Sequence, residues 1–238
     1  MKKNKILLVL FIGLNIIFSV LKAQDLVQSP KAQSLIAIAA LTGKGDLPKL
    51  KTELNNGLEA GLTVNQIKEA LVHVYAYAGF PRSIRGLQTF MTVLEERKAG
   101  GINDVTGAAA SPVNDKRSKY ERGKAILEEL TGAKEQEQKT GYAAFEPKIE
   151  IFLKEHLFAD VFESNVLSYA ERELVTISVL SSIGGLEPML RSHMIICLNL
   201  GLTTGQLQDF IGLISKTIGR KEAKAAQAVL DEILINRK

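Results

Sequence analysis

The chain has 238 residues, 46% hydrophobic and 24% charged, enough for one sizeable core or two small ones and too apolar for a disordered chain. Its formal charge of +4 comes entirely from residues 1–23, which hold Lys2, Lys3, Lys5 and Lys22 and no acid. The remainder balances 26 acidic side chains with as many basic ones and gives no electrostatic reason to propose a nucleic-acid partner. A single cysteine excludes an internal disulfide and a multi-thiolate metal site.

In chain order, the first element is a leader. Three lysines precede an apolar run over residues 6–20, broken only by Gly13, Asn15 and Ser19, and Ala23 supplies a small residue for cleavage. Residues 1–23 read as a signal peptide, with a periplasmic or secreted product and no stable membrane span after cleavage. Leu21 stands where a second small residue is favoured, so an uncleaved anchor is the competing reading; the run is short for a span needing roughly 20 residues.

Residues 32–41 form an apolar, alanine-rich stretch that reads as a buried helix, although the pattern alone suits a strand as well. Residues 48–60 begin with Pro48 and stop before Gly61, a helix with proline in its first turn and glycine past its end. Thr63 sits where an N-cap belongs, ahead of a third helix over 65–77. Gly79 closes that helix and Pro81 opens a fourth, running to about residue 96. Residues 99–119, rich in glycine, alanine, serine and charge, read as a linker or surface loop. Two amphipathic helices follow, over 120–130 and 145–158.

The rest repeats the first part. With a constant shift of 140 and no gap, Gly45, Pro48, Leu50, Leu58, Gly61, Leu62, Thr63, Gln66 and Gly79 coincide with Gly185, Pro188, Leu190, Leu198, Gly201, Leu202, Thr203, Gln206 and Gly219. Residues 172–182 and 188–200 then match the helices at 32–41 and 48–60. This pattern predicts two helical units, over 24–98 and 120–238, joined by 99–119. No convincing hairpin appears, so the fold class is all-α.

Several side chains stand out. His193 shares a predicted helix face with Met189 and Cys197, four residues either side. Arg191 offers a forked guanidinium for a substrate carboxylate, or pairs with Glu187 one turn earlier. His73 and Tyr77 are four apart and can face a junction between the units. Gly79 and Pro81 read as structural. Cys197 is most simply a small buried apolar residue. His156, in a polar helix end, reads as exposed, and His73, His156 and His193 have no metal-ligand spacing.

Leu54, Asn55, Asn56 and Gly57, the Gly61–Leu62–Thr63 turn, Gln66 to Glu69 and above all Tyr77, Ala78, Gly79, Phe80 and Pro81 resemble the carboxymuconolactone decarboxylase family. The second unit resembles it over about 120–234, through Tyr120 to Leu127, Leu167 to Leu174, Leu190 to His193 and Asn199 to Thr203. The resemblance implies small all-helical units that assemble into rings, so a homo-oligomer, possibly a trimer, is the extrapolation for two fused units. It also implies two chemistries. One branch decarboxylates a lactone acid without a cofactor. The other, alkylhydroperoxidase-D-like, reduces peroxides with a Cys-x-x-Cys pair; its cysteines would fall near Leu186 and Met189, and Cys197 has no resolving partner in the chain. His193 aligns with the histidine of both branches and implies a general acid or base, a proton donor to the carbanion left by loss of carbon dioxide. Glu173 matches a family acid that would orient His193, or is simply a first-turn acid favoured by the helix dipole. The first unit carries Gln33 and Glu53 at the corresponding positions, which suggests one site per chain.

These readings converge on an exported, cofactor-free decarboxylase or lyase acting on a small organic acid or lactone, with catalytic His193 and Glu173 and with Arg191, Tyr77 and His73 contacting substrate. The alternatives are a peroxidase-related redox protein working through Cys197, and a non-catalytic helical protein that binds a ligand or assembles.

Overall fold

The computed structural model describes residues 26–237; the leader reading falls outside them. The described residues are helical, with no strand, as the all-α reading requires. The order is α1 (Pro30–Lys44), α2 (Leu47–Glu59), α3 (Val64–Ala99), α4 (Lys119–Thr131), α5 (Gly141–Phe145), α6 (Pro147–Phe152), a π-helix (Leu153–Phe162), α7 (Tyr169–Ile183), α8 (Glu187–Asn199), α9 (Thr204–Thr217) and α10 (Arg220–Asn236).

Each start and stop has a local cause. Ser29 caps α1 by accepting from Ala32 N–H, and Pro30 occupies the first helical position, where its missing N–H costs nothing. Thr63 and Gln66 form a capping box at α3, and Thr203 and Gln206 form the same box at α9. Helix α2 starts at Leu47 and ends at Glu59; α8 starts at Glu187 and ends at Asn199, an offset of 140 at both ends. Past these ends Gly61 (φ 90°) and Gly201 (φ 94°) take left-handed conformations, and Leu62 N–H donates to Gly57 O as Leu202 N–H donates to Cys197 O. Gly79 (φ 76°, ψ 166°) breaks α3 in a region open only to glycine. At the matching point Gly219 (φ 129°, ψ 164°) separates α9 from α10.

Helices α1 and α7 are the centre of the molecule. Both are buried on nearly every side, from Leu35 to Gly43 and from Arg172 to Ser182, as expected of helices that are apolar all round. They touch closely where a Cβ on Gly43 would lie 2.2 Å from Ser182 Oγ. Side chains of the two helices interleave: Ile36 and Ala40 pack with Leu174, Ile177 and Phe210, while Leu35, Ile38 and Leu41 pack with Val175 and Val179. The halves of the chain therefore share their core.

Residues between α3 and α4 lack regular structure, as composition indicated, yet they are tied down. Val64 and Asn65 N–H groups donate to Val105 and Thr106 carbonyls, Arg97 makes a forked bond to Asp104, and Ser111 is held by Asn165. The single helix expected over 145–158 is instead α6 running into the π-helix. Helix α4 lies so close to that π-helix that a Cβ on Gly123 would stand 1.9 Å from Lys154 O. Beside this contact the buried Lys154 ammonium donates to Tyr120 Oη at 2.9 Å and pairs with Glu135 and Glu150.

Candidate active site

Ser168 and Glu171 build a capping box that starts α7. The first-turn acid is therefore Glu171, while Glu173, two residues on, is wholly buried. Its Oε2 accepts from His193 Nδ1 at 2.8 Å. His193 lies on α8, which begins with Glu187 and Pro188 and passes from solvent into the core: Met189 is exposed, His193 is 14% exposed at its side chain and Cys197 is fully buried. The shared face expected for these three residues is thus a descent from surface to interior. With Nδ1 bonded to the carboxylate, Nε2 is the ring atom left for chemistry.

Tyr77, on α3, meets His193 edge to face, ring centroids 5.7 Å apart, and His73 one turn earlier lies 5.5 Å from Tyr77. Four of the five side chains singled out in the sequence, His193, Glu173, Tyr77 and His73, are therefore neighbours. Arg191 is not among them: it is half-buried on α8 and makes neither hydrogen bond nor ion pair with the described residues. The pairing with Glu187 does not form; Glu187 Oε1 accepts from Gly185 N–H at 3.2 Å.

Beneath the pair lies a buried polar chain the sequence did not announce. Arg172, wholly buried on α7, donates through Nη2 to Glu69 at 2.5 Å and to Ser164 O at 2.6 Å, while Nη1 faces His73 Nδ1 at 3.4 Å. His73 Nε2 lies 2.8 Å from Thr176 Oγ1, whose own proton goes to Arg172 O at 3.0 Å. Thr176 must then accept from His73, which fixes His73 as the neutral Nε2–H tautomer with Nδ1 turned to the guanidinium. Burial first, and the Arg172 and His193 charges second, push the His73 pKa well below 6.5. Burial also lowers that of Arg172, with Glu69 opposing. The only signal in the sequence for this chain was three charged residues, Glu171 to Glu173, entering an apolar helix.

Two polar atoms beside the imidazole are buried without a hydrogen bond: Glu173 Oε1 and Tyr77 Oη. Burial, reinforced by the Glu173 charge, raises the Tyr77 pKa and keeps the phenol protonated; the nearby Thr176 hydroxyl opposes this weakly, but its proton is already committed. Orphaned buried polar atoms each cost about 1–3 kcal/mol; with Arg172 Nε and Ser164 Oγ, which also lack a partner, they make this polar cluster a place where a polar partner from outside would be stabilised. Cys197 is different. Burial and Glu173 push its thiol pKa well up, the reverse of a reactive thiolate. Among the described residues no group of three or more His, Cys, Asp and Glu is arranged to hold a metal, and no helix is long and apolar enough to cross a membrane.

The positions 140 residues before the pair are occupied differently. Gln33 is exposed and donates to Gln28 O, and Glu53 accepts from Asn56. Thr217, 140 residues after Tyr77, donates to Leu213 O.

Fold and site together define an all-helical protein with a buried carboxylate–imidazole pair walled by a tyrosine from the other half of the chain. Residues 23–90 match the model of the carboxymuconolactone decarboxylase family, a segment ending within α3 and containing Tyr77 and His73. No curated protein matches the chain.

Proposed function

We propose that the chain is a decarboxylase- or lyase-like protein related to the carboxymuconolactone decarboxylases, acting without a cofactor on a small organic acid or lactone, with His193 as proton donor. The observation that carries this reading is the 2.8 Å bond from His193 Nδ1 to the wholly buried Glu173, which fixes the ring and leaves Nε2 free at the partly exposed edge. In a decarboxylation the bond to the departing carboxylate carbon breaks, its electron pair stays on the substrate carbon and spreads into an adjacent carbonyl, and imidazolium Nε2–H delivers its proton to that carbon. Carbon dioxide leaves and His193 is left neutral, to be reprotonated from solvent. Glu173 touches no substrate in this scheme; it is a positioning residue. Tyr77, a neutral phenol, donates to the developing enolate oxygen.

The shared 140-residue offset of helix bounds, caps and glycine breaks supports a tandem pair of related units, of which only the second holds the carboxylate–imidazole pair. One site per chain, export through the leader and assembly into a ring, such as a trimer, belong to the same proposal. The buried Cys197, whose thiol is held protonated by burial, speaks against the thiol route. A screen of lactone acids and small β-keto or unsaturated acids, following carbon dioxide release, tests the chemistry. His193→Ala should lower turnover at least about 100-fold, the usual scale of a lost general acid, whereas Cys197→Ser should leave it unchanged. Equal turnover in His193→Ala and parent removes His193 from the mechanism.

A further inference from the structure

A cleft of about 460 Å³ opens where α1, α3 and α7 meet, lined by Gly43, Lys44, Tyr77, Arg82, Ser182 and Ile183. His193 and Glu173 do not line it; Tyr77 is the residue common to the cleft and the imidazole site. No acidic residue lines this cleft. Of its two cations, Lys44 is already paired with Glu222 at 2.5 Å. Arg82 has no carboxylate partner among the described residues, and its guanidinium lies over Gly45, so closely that a Cβ there would stand 1.5 Å from Nη1. Gly45 is the left-handed cap of α1 (φ 78°), so the guanidinium sits at the end of that helix, where its charge is favoured. An unpaired guanidinium in one cleft with a tyrosine is suited to a flat acid: the fork takes the carboxylate and the ring takes the carbon skeleton.

We infer that this cleft is a binding site for a small cyclic or unsaturated carboxylate, with Arg82 as its anchor and Tyr77 as its wall. The inference deepens the function proposed above, on which its catalytic relevance rests, by assigning carboxylate recognition to Arg82 rather than to Arg191. The volume lies within the range of small-ligand sites and accommodates an acid of benzoate size or somewhat larger.

The test uses benzoate as probe and benzamide as its neutral counterpart, with binding followed by backbone amide shifts of the full mature chain. Benzoate should perturb the amides of Gly43, Lys44, Ser182 and Ile183, and benzamide should bind at least about tenfold more weakly, the scale of a lost charge-assisted bond. Arg82→Gln should weaken benzoate at least about tenfold, while Lys44→Gln and Arg191→Gln should change it little. Arg82 is exposed, so the variant should fold; an unchanged circular dichroism spectrum checks this. Benzoate that fails to bind, or binds Arg82→Gln as well as it binds the parent, overturns the site. His193→Ala separates the two claims, because undiminished benzoate binding is expected there; an intact cleft in a parent chain that turns over no acid would end the catalytic reading alone, and turnover without Arg82-dependent binding would end the site alone.

Discussion

His73 should make the folded chain acid-sensitive at unusually mild pH. In the unfolded chain an imidazole takes up a proton near pH 6.5; in the folded one burial, Arg172 and His193 oppose that proton until well below 6.5. Between those two values the unfolded state binds the extra proton, so stability is fully present above about pH 7 and is lost as pH falls. While the folded imidazole stays neutral, one such group costs on the order of 1 kcal/mol between pH 7.5 and 5.5, from RT ln(1 + 10^(6.5 − pH)). Urea denaturation at the two pH values reads this directly: for m of about 2 kcal/mol/M the midpoint should drop about half a molar through this residue alone. His73→Gln, which keeps a donor for Thr176 but cannot titrate, should lack that part of the drop. Asp115 and Glu135, held by neighbouring cations, titrate far lower, at about 2, outside this window. Parent and variant losing equal stability from pH 7.5 to 5.5 would show that His73 protonates in the folded chain, and the tautomer assigned from Thr176 and Arg172 would be wrong.

Two further outcomes follow from packing. Cys197 should resist a thiol reagent such as Ellman's in the native chain and react at the normal rate in denaturing urea; rapid native labelling would restore the thiol route. Gly123→Ala places a methyl group 1.9 Å from Lys154 O, a backbone atom that cannot swing away, and should destabilise by about 1–3 kcal/mol. A melting temperature within a degree of the parent would mean that α4 and the π-helix separate easily.

Much of the architecture was legible because it is written in short-range chemistry. Pro48 and Gly61, Pro188 and Gly201, Thr63 with Gln66 and Thr203 with Gln206 each act within a turn or two, and the structure puts helix ends beside every one of them. The site was legible only in part. Glu173 and His193 are twenty residues apart on separate helices, and their bond was suggested by family resemblance, since nothing in the spacing requires it. Arg172 opened the stretch 172–182 read as a buried helix, and its partners gave no sign in the sequence: Ser164 lies just upstream, but Glu69 and His73 come from the distant α3. Arg82 was invisible for a similar reason: Gly45, over which its guanidinium lies, belongs to the end of another helix. The Glu187–Arg191 pair shows the converse error, a plausible one-turn contact that does not form, while Glu187 makes an even shorter one to Gly185 N–H.

Because α1 and α7 are covered along almost their whole length, neither is made to stand in water alone. Severing the connection at 99–119 would leave each fragment with an unprotected rod at its heart, obliged either to find the other or to clump. The covalent link therefore does more than tether: it guarantees that the tyrosine from one portion and the imidazole from the other are made together, in equal number, and meet on every molecule.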